Sequence, residues 1–193
     1  MIGVEGLGKR YGSRWLFRDL TFQIQEGDSL VVTGHNGSGK STLLRCLAGL
    51  VRPNEGKVLG PEDHGALGLA SLEIHLYPWL DAVEHLEFAA ESRGCEARAE
   101  EILEFIGLVQ TAWRGLPASR FSTGMKARLR MALAIQSNPK VLLLDEPGAG
   151  LDAKGREVVG RVIAAQRARG CVILATNDPL EEGYASHALD LGG

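Results

Sequence analysis

The chain has 193 residues, 21 Lys+Arg against 24 Asp+Glu for a formal net charge of −3, and it is 45% hydrophobic and 23% charged. Those values fit one soluble globular domain with at most a small insertion, and they exclude an intrinsically disordered chain. The near-neutral balance lacks the overall basic footprint of a dedicated nucleic-acid binder, so no nucleic acid is expected as a partner.

No apolar run approaches the roughly 20 residues needed to cross a bilayer. The first residues, Met1-Ile2-Gly3-Val4-Glu5, form neither a basic n-region nor an apolar h-region, so the chain is expected to act in the cytoplasm. Cys46, Cys95 and Cys171 stand far apart with no C-x-x-C pair, and they read as small buried residues. His64, His75, His85 and His187 show no metal-ligand spacing.

In chain order, Ile2 to Gly6 and Thr21 to Gln25 read as short strands, and Ser29-Leu30-Val31-Val32-Thr33 as a β-branched strand stopping at Gly34. A helix is expected from Lys40 to Ala48, then a short strand at Lys57-Val58-Leu59. From about 80 to 138 the pattern is helical, with helices over Leu80 to Ser92, Glu96 to Ile106 and Ser122 to Ser137. Val141-Leu142-Leu143-Leu144 and Cys171-Val172-Ile173-Leu174-Ala175 are further strands, apolar on both faces, flanking a helix from Asp152 to Arg169. Strands apolar on both faces belong in a covered, mainly parallel sheet. The expected fold is therefore α/β: a mainly parallel core sheet, a small N-terminal antiparallel β region and a helical insertion, all within one domain over 1–193.

Gly34-His35-Asn36-Gly37-Ser38-Gly39-Lys40-Ser41 matches G-x-x-x-x-G-K-[ST], with Thr42 next. It follows a strand and opens a helix, where backbone N–H groups and the helix N-terminus cradle phosphate oxygens. In that arrangement Lys40 reaches the β- and γ-phosphates and the Ser41 hydroxyl coordinates Mg²⁺. His35 stands where only backbone is needed and reads as a solvated side chain. About a hundred residues on, the strand ending at Leu144 delivers Asp145 and Glu146 at its carboxyl end, where ligand sites in such sheets lie. Asp145 is suited to hold Mg²⁺, and Glu146 to polarise an attacking water as general base. Ser122, in Phe121-Ser122-Thr123-Gly124-Met125-Lys126, reads as an N-cap; with Gly124 it opens a helix whose terminus is an anion site.

The order of these elements, from P-loop through a helical stretch, an S-x-G signature and Asp-Glu-Pro to Leu151-Asp152, resembles the nucleotide-binding domain of ATP-binding cassette (ABC) proteins. The likeness runs from Tyr11 to Asp178. It implies a P-loop NTPase fold that binds ATP and Mg²⁺ and hydrolyses ATP. It also implies a second nucleotide-binding subunit packed head to tail, with Ser122 and Gly124 capping the partner's γ-phosphate. Tyr11 sits where the family stacks an aromatic on adenine, although a lone tyrosine reads equally as packing. Asp152 matches the acid that communicates across the dimer, and it also suits an N-cap. A separate transmembrane transporter subunit is implied, which places the chain peripherally on the inner face of the cell membrane. The Ser-Thr-Gly-Met-Lys signature resembles small exporter ATPases, including the haem exporter subunit of cytochrome c biogenesis. The apolar, aromatic stretch from Ile74 to Leu86 reads either as part of the groove for that membrane partner or as local packing.

Three positions depart from the family pattern. No Gln lies between Gly68 and Pro78, where Leu72 or Glu73 takes its place; Asn177 stands for the switch histidine; Thr123 replaces a signature Gly. An amide donates a hydrogen bond to a phosphate oxygen but carries no positive charge and relays no proton. Slow turnover is the expectation, and a regulatory or non-transport ABC ATPase with weak or no turnover is the alternative.

Overall fold

A computed structural model describes residues 1–61 and 64–192, without the side chains of His64 and Ala112. Two sheets form. β1 (Ile2–Tyr11), β2 (Arg14–Ile24) and β4 (Glu55–Leu59) make an antiparallel sheet in the order β2-β1-β4. β3 (Ser29–Thr33), β5 (Leu67–Ala70), β6 (Val141–Asp145), β7 (Cys171–Ala175) and β8 (His187–Asp190) make a parallel sheet in the order β5-β6-β7-β3-β8. α1 (Lys40–Leu47) follows β3. α2 (Ala82–Arg93), α3 (Ala99–Phe105) and α4 (Thr123–Ile135) lie between β5 and β6, α5 (Ala153–Arg167) follows β6, and α6 (Pro179–Glu182) follows β7. No helix among the described residues is long and apolar enough to cross a membrane.

The period-2 alternation of the central strands divides the interior in two. Val31, Leu142, Leu144, Val172 and Leu174 face a core shared with α2, α3, α4 and α5. Leu30, Val32, Val141, Leu143 and Ile173 face a second core shared with α1 and the antiparallel sheet. This two-sided burial is why those strands are apolar at every position, and each fully buried Leu contributes about 1.5–3 kcal/mol.

The N-terminal strands are longer than the sequence pattern indicates and form one hairpin, because bulges between Val4 and Leu7 and again after Leu7 break its alternation. β5 and β8 are additions to the expected elements. β5 is four residues, and a Cβ on its Gly68 would lie 2.1 Å from the Ala134 carbonyl oxygen, so the strand trades side-chain signal for close approach to α4. β8 is an exposed edge strand without an apolar run. α3 begins three residues later than expected, and two short 3-10 turns, Gln110–Ala112 and Ala118–Arg120, interrupt the helical stretch. Cys46 and Cys171 are buried, whereas Cys95 is only half-buried, just past the C-terminus of α2.

Candidate functional site

β3 ends at Thr33, and residues 34–39 wrap over the start of α1. Gly34 (φ 137°) and Gly39 (φ 109°) adopt left-handed backbone that favours glycine. A Cβ at Gly34 would lie 2.7 Å from Ser38 Oγ, and one at Gly39 3.0 Å from Leu16 Cβ, so the loop closes only without side chains there. No side chain among the described residues caps α1, whose N-cap is Gly39. The first-turn N–H groups therefore stay available to an anion. Ser38 Oγ is buried with no hydrogen-bond partner among the described residues. Lys40, 7% exposed, donates from Nζ to the Gly34 carbonyl at 2.7 Å and reaches that of His35 at 3.5 Å. A buried ammonium held by carbonyl oxygens at a bare helix N-terminus is matched to a phosphate.

The two acids arrive at the carboxyl end of β6, two strands from β3, Asp145 as its last residue and Glu146 just past it. Ser41 Oγ donates to Asp145 Oδ1 at 2.9 Å, closing a gap of 104 residues. Ser71 Oγ donates to the other oxygen, Oδ2, at 3.1 Å. Glu146 takes φ 48°, a strained conformation for a residue with a side chain, costing about 1–3 kcal/mol. Its N–H donates to the Ala175 carbonyl at 2.8 Å, which pins the strained residue to β7. Burial pushes the Glu146 carboxyl above the usual carboxylate range; Lys40 and the Asn177 N–H oppose that shift, and Asp145 and Asp178 add to it. Asn177, just past β7, donates from Nδ2 to Asn36 Oδ1 at 3.0 Å and ties that exit to the P-loop.

An open cavity of about 480 Å³ lies over the P-loop, lined by Tyr11, Leu16, Asn36, Gly37, Gly39, Lys40, Ser41, Thr42 and Glu146. Tyr11 is exposed at the hairpin tip, with Lys9 Nζ 5.1 Å from its ring centroid. Ser122, Gly124 and Asp152 do not line this cavity. Ser122 Oγ caps α4 by accepting from the Met125 N–H at 3.2 Å. Asp152 caps α5 by accepting from the Gly155 N–H at 2.8 Å and lies 3.5 Å from Arg128 of α4. Thr123 turns toward its own chain: a Cβ on Gly150 would lie 2.8 Å from Thr123 Cγ2.

Leu72 and Glu73 do not enter the cavity. Leu72 is exposed, and Glu73 pairs with Arg45 on α1. The residue from that loop that reaches Asp145 is Ser71, for which the sequence carries no signal beyond its place after a four-residue strand. Leu16 and Asn36 form walls of the site; Leu16 is legible only once β2 is known to extend to the hairpin tip. His35 is exposed, as its P-loop position suggests. His85 is a buried structural residue: the Tyr77 N–H donates to its Nε2 at 2.9 Å, and its Nδ1 lies 2.7 Å from the Asp81 carbonyl.

Known proteins share both the sequence and the architecture. The cytochrome c biogenesis ATP-binding export protein CcmA of Gluconobacter oxydans is 36% identical over 98% of this chain and 87% of its own. The taurine import ATP-binding protein TauB of Pseudomonas aeruginosa is 38% identical over 75% of this chain and 58% of its own. The chain spans about 62% of the length of four further curated relatives. A dimeric post-hydrolysis structure of the ATP-binding cassette MJ0796, bound to ADP and Pi, superposes with a TM-score of 0.89 at 23% identity, covering 100% of this chain and 94% of that one. The family model described as ABC transporter matches residues 17–149, and the chain belongs to the ABC transporter family as a nucleotide-binding cassette.

Proposed function

We propose that this cassette binds ATP, hydrolyses it to ADP and phosphate, and through nucleotide-driven pairing of two cassettes powers a separate membrane-embedded transporter. The observation that carries the reading is the Ser41–Asp145 hydrogen bond, which brings the P-loop hydroxyl and the β6 acid together beside Lys40 and Glu146.

Each residue has a chemical task in this reading. The N–H groups of residues 36–42 and the Lys40 ammonium bind the phosphates, while Tyr11 offers an open ring face for adenine. Ser41 and Asp145 are hard oxygen donors side by side, the set that suits Mg²⁺, which keeps most of its waters and takes few protein ligands. Mg²⁺ supplies charge neutralisation at the β- and γ-phosphate oxygens when bound. Glu146, held by its strained backbone at the cavity wall, orients and deprotonates the attacking water. Asn177 donates an amide hydrogen bond toward the γ-phosphate but cannot relay a proton, which favours slow turnover. Ser122 and Gly124, outside the chain's own cavity, are free to cap the phosphate of a second cassette, with Asp152 at the same junction.

The membrane partner's docking surface is read at Tyr77, Trp79 and Phe88. Trp79 is 70% exposed, and the Tyr77 ring lies 6.0 Å from Trp79 and 5.5 Å from Phe88. Contiguous exposed aromatics of this kind mark interaction sites. Docking there puts the cassette on the inner face of the cell membrane. Export as the direction is supported by the name of CcmA, and import by that of TauB.

Steady-state phosphate release with ATP and Mg²⁺ tests the chemistry. Glu146→Gln is expected to lower the rate about 10²–10⁴-fold while leaving ATP binding in place. Equal, negligible rates for wild type and variant at saturating ATP would favour the regulatory alternative without turnover.

A further inference from the structure

The loop after β5 lacks the family's glutamine, yet it is fastened to the nucleotide site. Ala70 pairs with Leu144 in the parallel ladder, so Ser71, the first residue past β5, comes beside Asp145, the last residue of β6. Ser71 is 7% exposed; its hydroxyl donates to Asp145 Oδ2 at 3.1 Å and accepts from the Glu73 N–H at 3.3 Å. The loop is held at further points. The Ile74 N–H closes a turn onto the Ser71 carbonyl at 3.1 Å, Arg130 Nε of α4 donates to the Ile74 carbonyl at 2.9 Å, and Glu73 pairs with Arg45 of α1. With the turn fixed on both sides, the Ser71 hydroxyl is held between the Asp145 carboxylate and the Glu73 N–H. Asp145 is thereby clamped between two serines, Ser41 on Oδ1 and Ser71 on Oδ2.

We infer that Ser71 is the positioning residue of the metal site: its hydroxyl fixes the Asp145 carboxylate for the divalent cation and takes over the link from that cation to the loop. Ser71 does this as a donor to the carboxylate, whereas a glutamine would act through its own amide oxygen. A carboxylate already held on one oxygen loses less rotational freedom when the cation binds to the other. The inference rests on reading Ser41 and Asp145 as the Mg²⁺ pair.

The test is calorimetric titration of ATP into the whole chain, once with Mg²⁺ and once with EDTA, for wild type, Ser71→Ala, Ser71→Thr and Asp145→Asn. The readout is the ratio of the two affinities for each protein, which a general loss of stability does not move. Ser71→Ala is expected to bind ATP in EDTA like wild type and to lose about ten- to a hundredfold of the Mg²⁺-dependent gain, the worth of one hydrogen bond to a carboxylate. Ser71→Thr, which keeps the hydroxyl, is expected to restore it. An unchanged gain in Ser71→Ala beside a lost gain in Asp145→Asn overturns the inference and leaves the site reading standing. A full gain in Asp145→Asn overturns both.

Discussion

Glu146 and Glu181 show how single residues near the cavity are tuned by burial. Glu181, on α6, is 4% exposed; the Thr176 hydroxyl donates to its Oε2, and a Cβ on Gly148 would lie 2.2 Å from its Oε1. It thus sits between the exits of β6 and β7, where Glu146 and Asn177 emerge. Burial raises its carboxyl above the ordinary value of 4.5, Asp178 and Glu146 add to that shift, and the Thr176 hydrogen bond opposes it. A raised native pKa means that the folded chain binds more protons than the unfolded one between 4.5 and the raised value. This group's contribution to stability therefore falls as pH rises across that window and is level above it. Glu181→Gln keeps the shape and an acceptor for Thr176 but cannot ionise. Its melting temperature relative to wild type is expected to climb as the buffer goes from about pH 4 to about pH 7. A difference that is flat or falls with pH would show that the Glu181 carboxyl is not held in its neutral form.

Among the elements, the central strands were legible because burial on both faces left every position apolar. β3, β6 and β7 lie within a residue of their expected bounds, and α5, with its Asp152 cap, begins one residue after its expected start and ends two before its expected end. The P-loop and the two acids were legible for a related reason: phosphate binding demands glycines and a lysine at fixed spacing, and that demand is written locally. What the sequence hid depends on contacts between distant segments. β5 is short and glycine-bearing because α4 crosses it closely, and Ser71 matters only because the ladder sets it beside Asp145. The Asn36–Asn177 bond likewise spans 141 residues with no local mark. The packing of β5 makes its own prediction. Gly68→Ala puts a methyl group 2.1 Å from the Ala134 carbonyl oxygen, and backbone must move to admit it. A loss of about 1–3 kcal/mol in denaturant unfolding is expected. An unchanged midpoint would mean that α4 and β5 separate more readily than their close approach implies.

For the whole molecule, the two-core arrangement puts the phosphate cradle and the signature helix on different faces. α1 and the P-loop belong to the core on one side of the parallel sheet, while α4, capped by Ser122, belongs to the core on the other. Ser122 and Gly124 stay outside the cavity that Lys40 and Glu146 line, and in the proposed function they meet a phosphate held by another copy. In this account ATP itself is the adhesive: closure gains the contacts of Ser122 and Gly124 to the γ-phosphate, and hydrolysis removes them. The most direct test is the mass of Glu146→Gln in solution by light scattering, measured without nucleotide, with ADP, and with ATP and Mg²⁺. The account predicts the mass of one chain without nucleotide and with ADP, and twice that mass with ATP, with Ser122→Ala weakening the pair. A one-chain mass at saturating ATP, or a pair that forms equally without nucleotide, would contradict it.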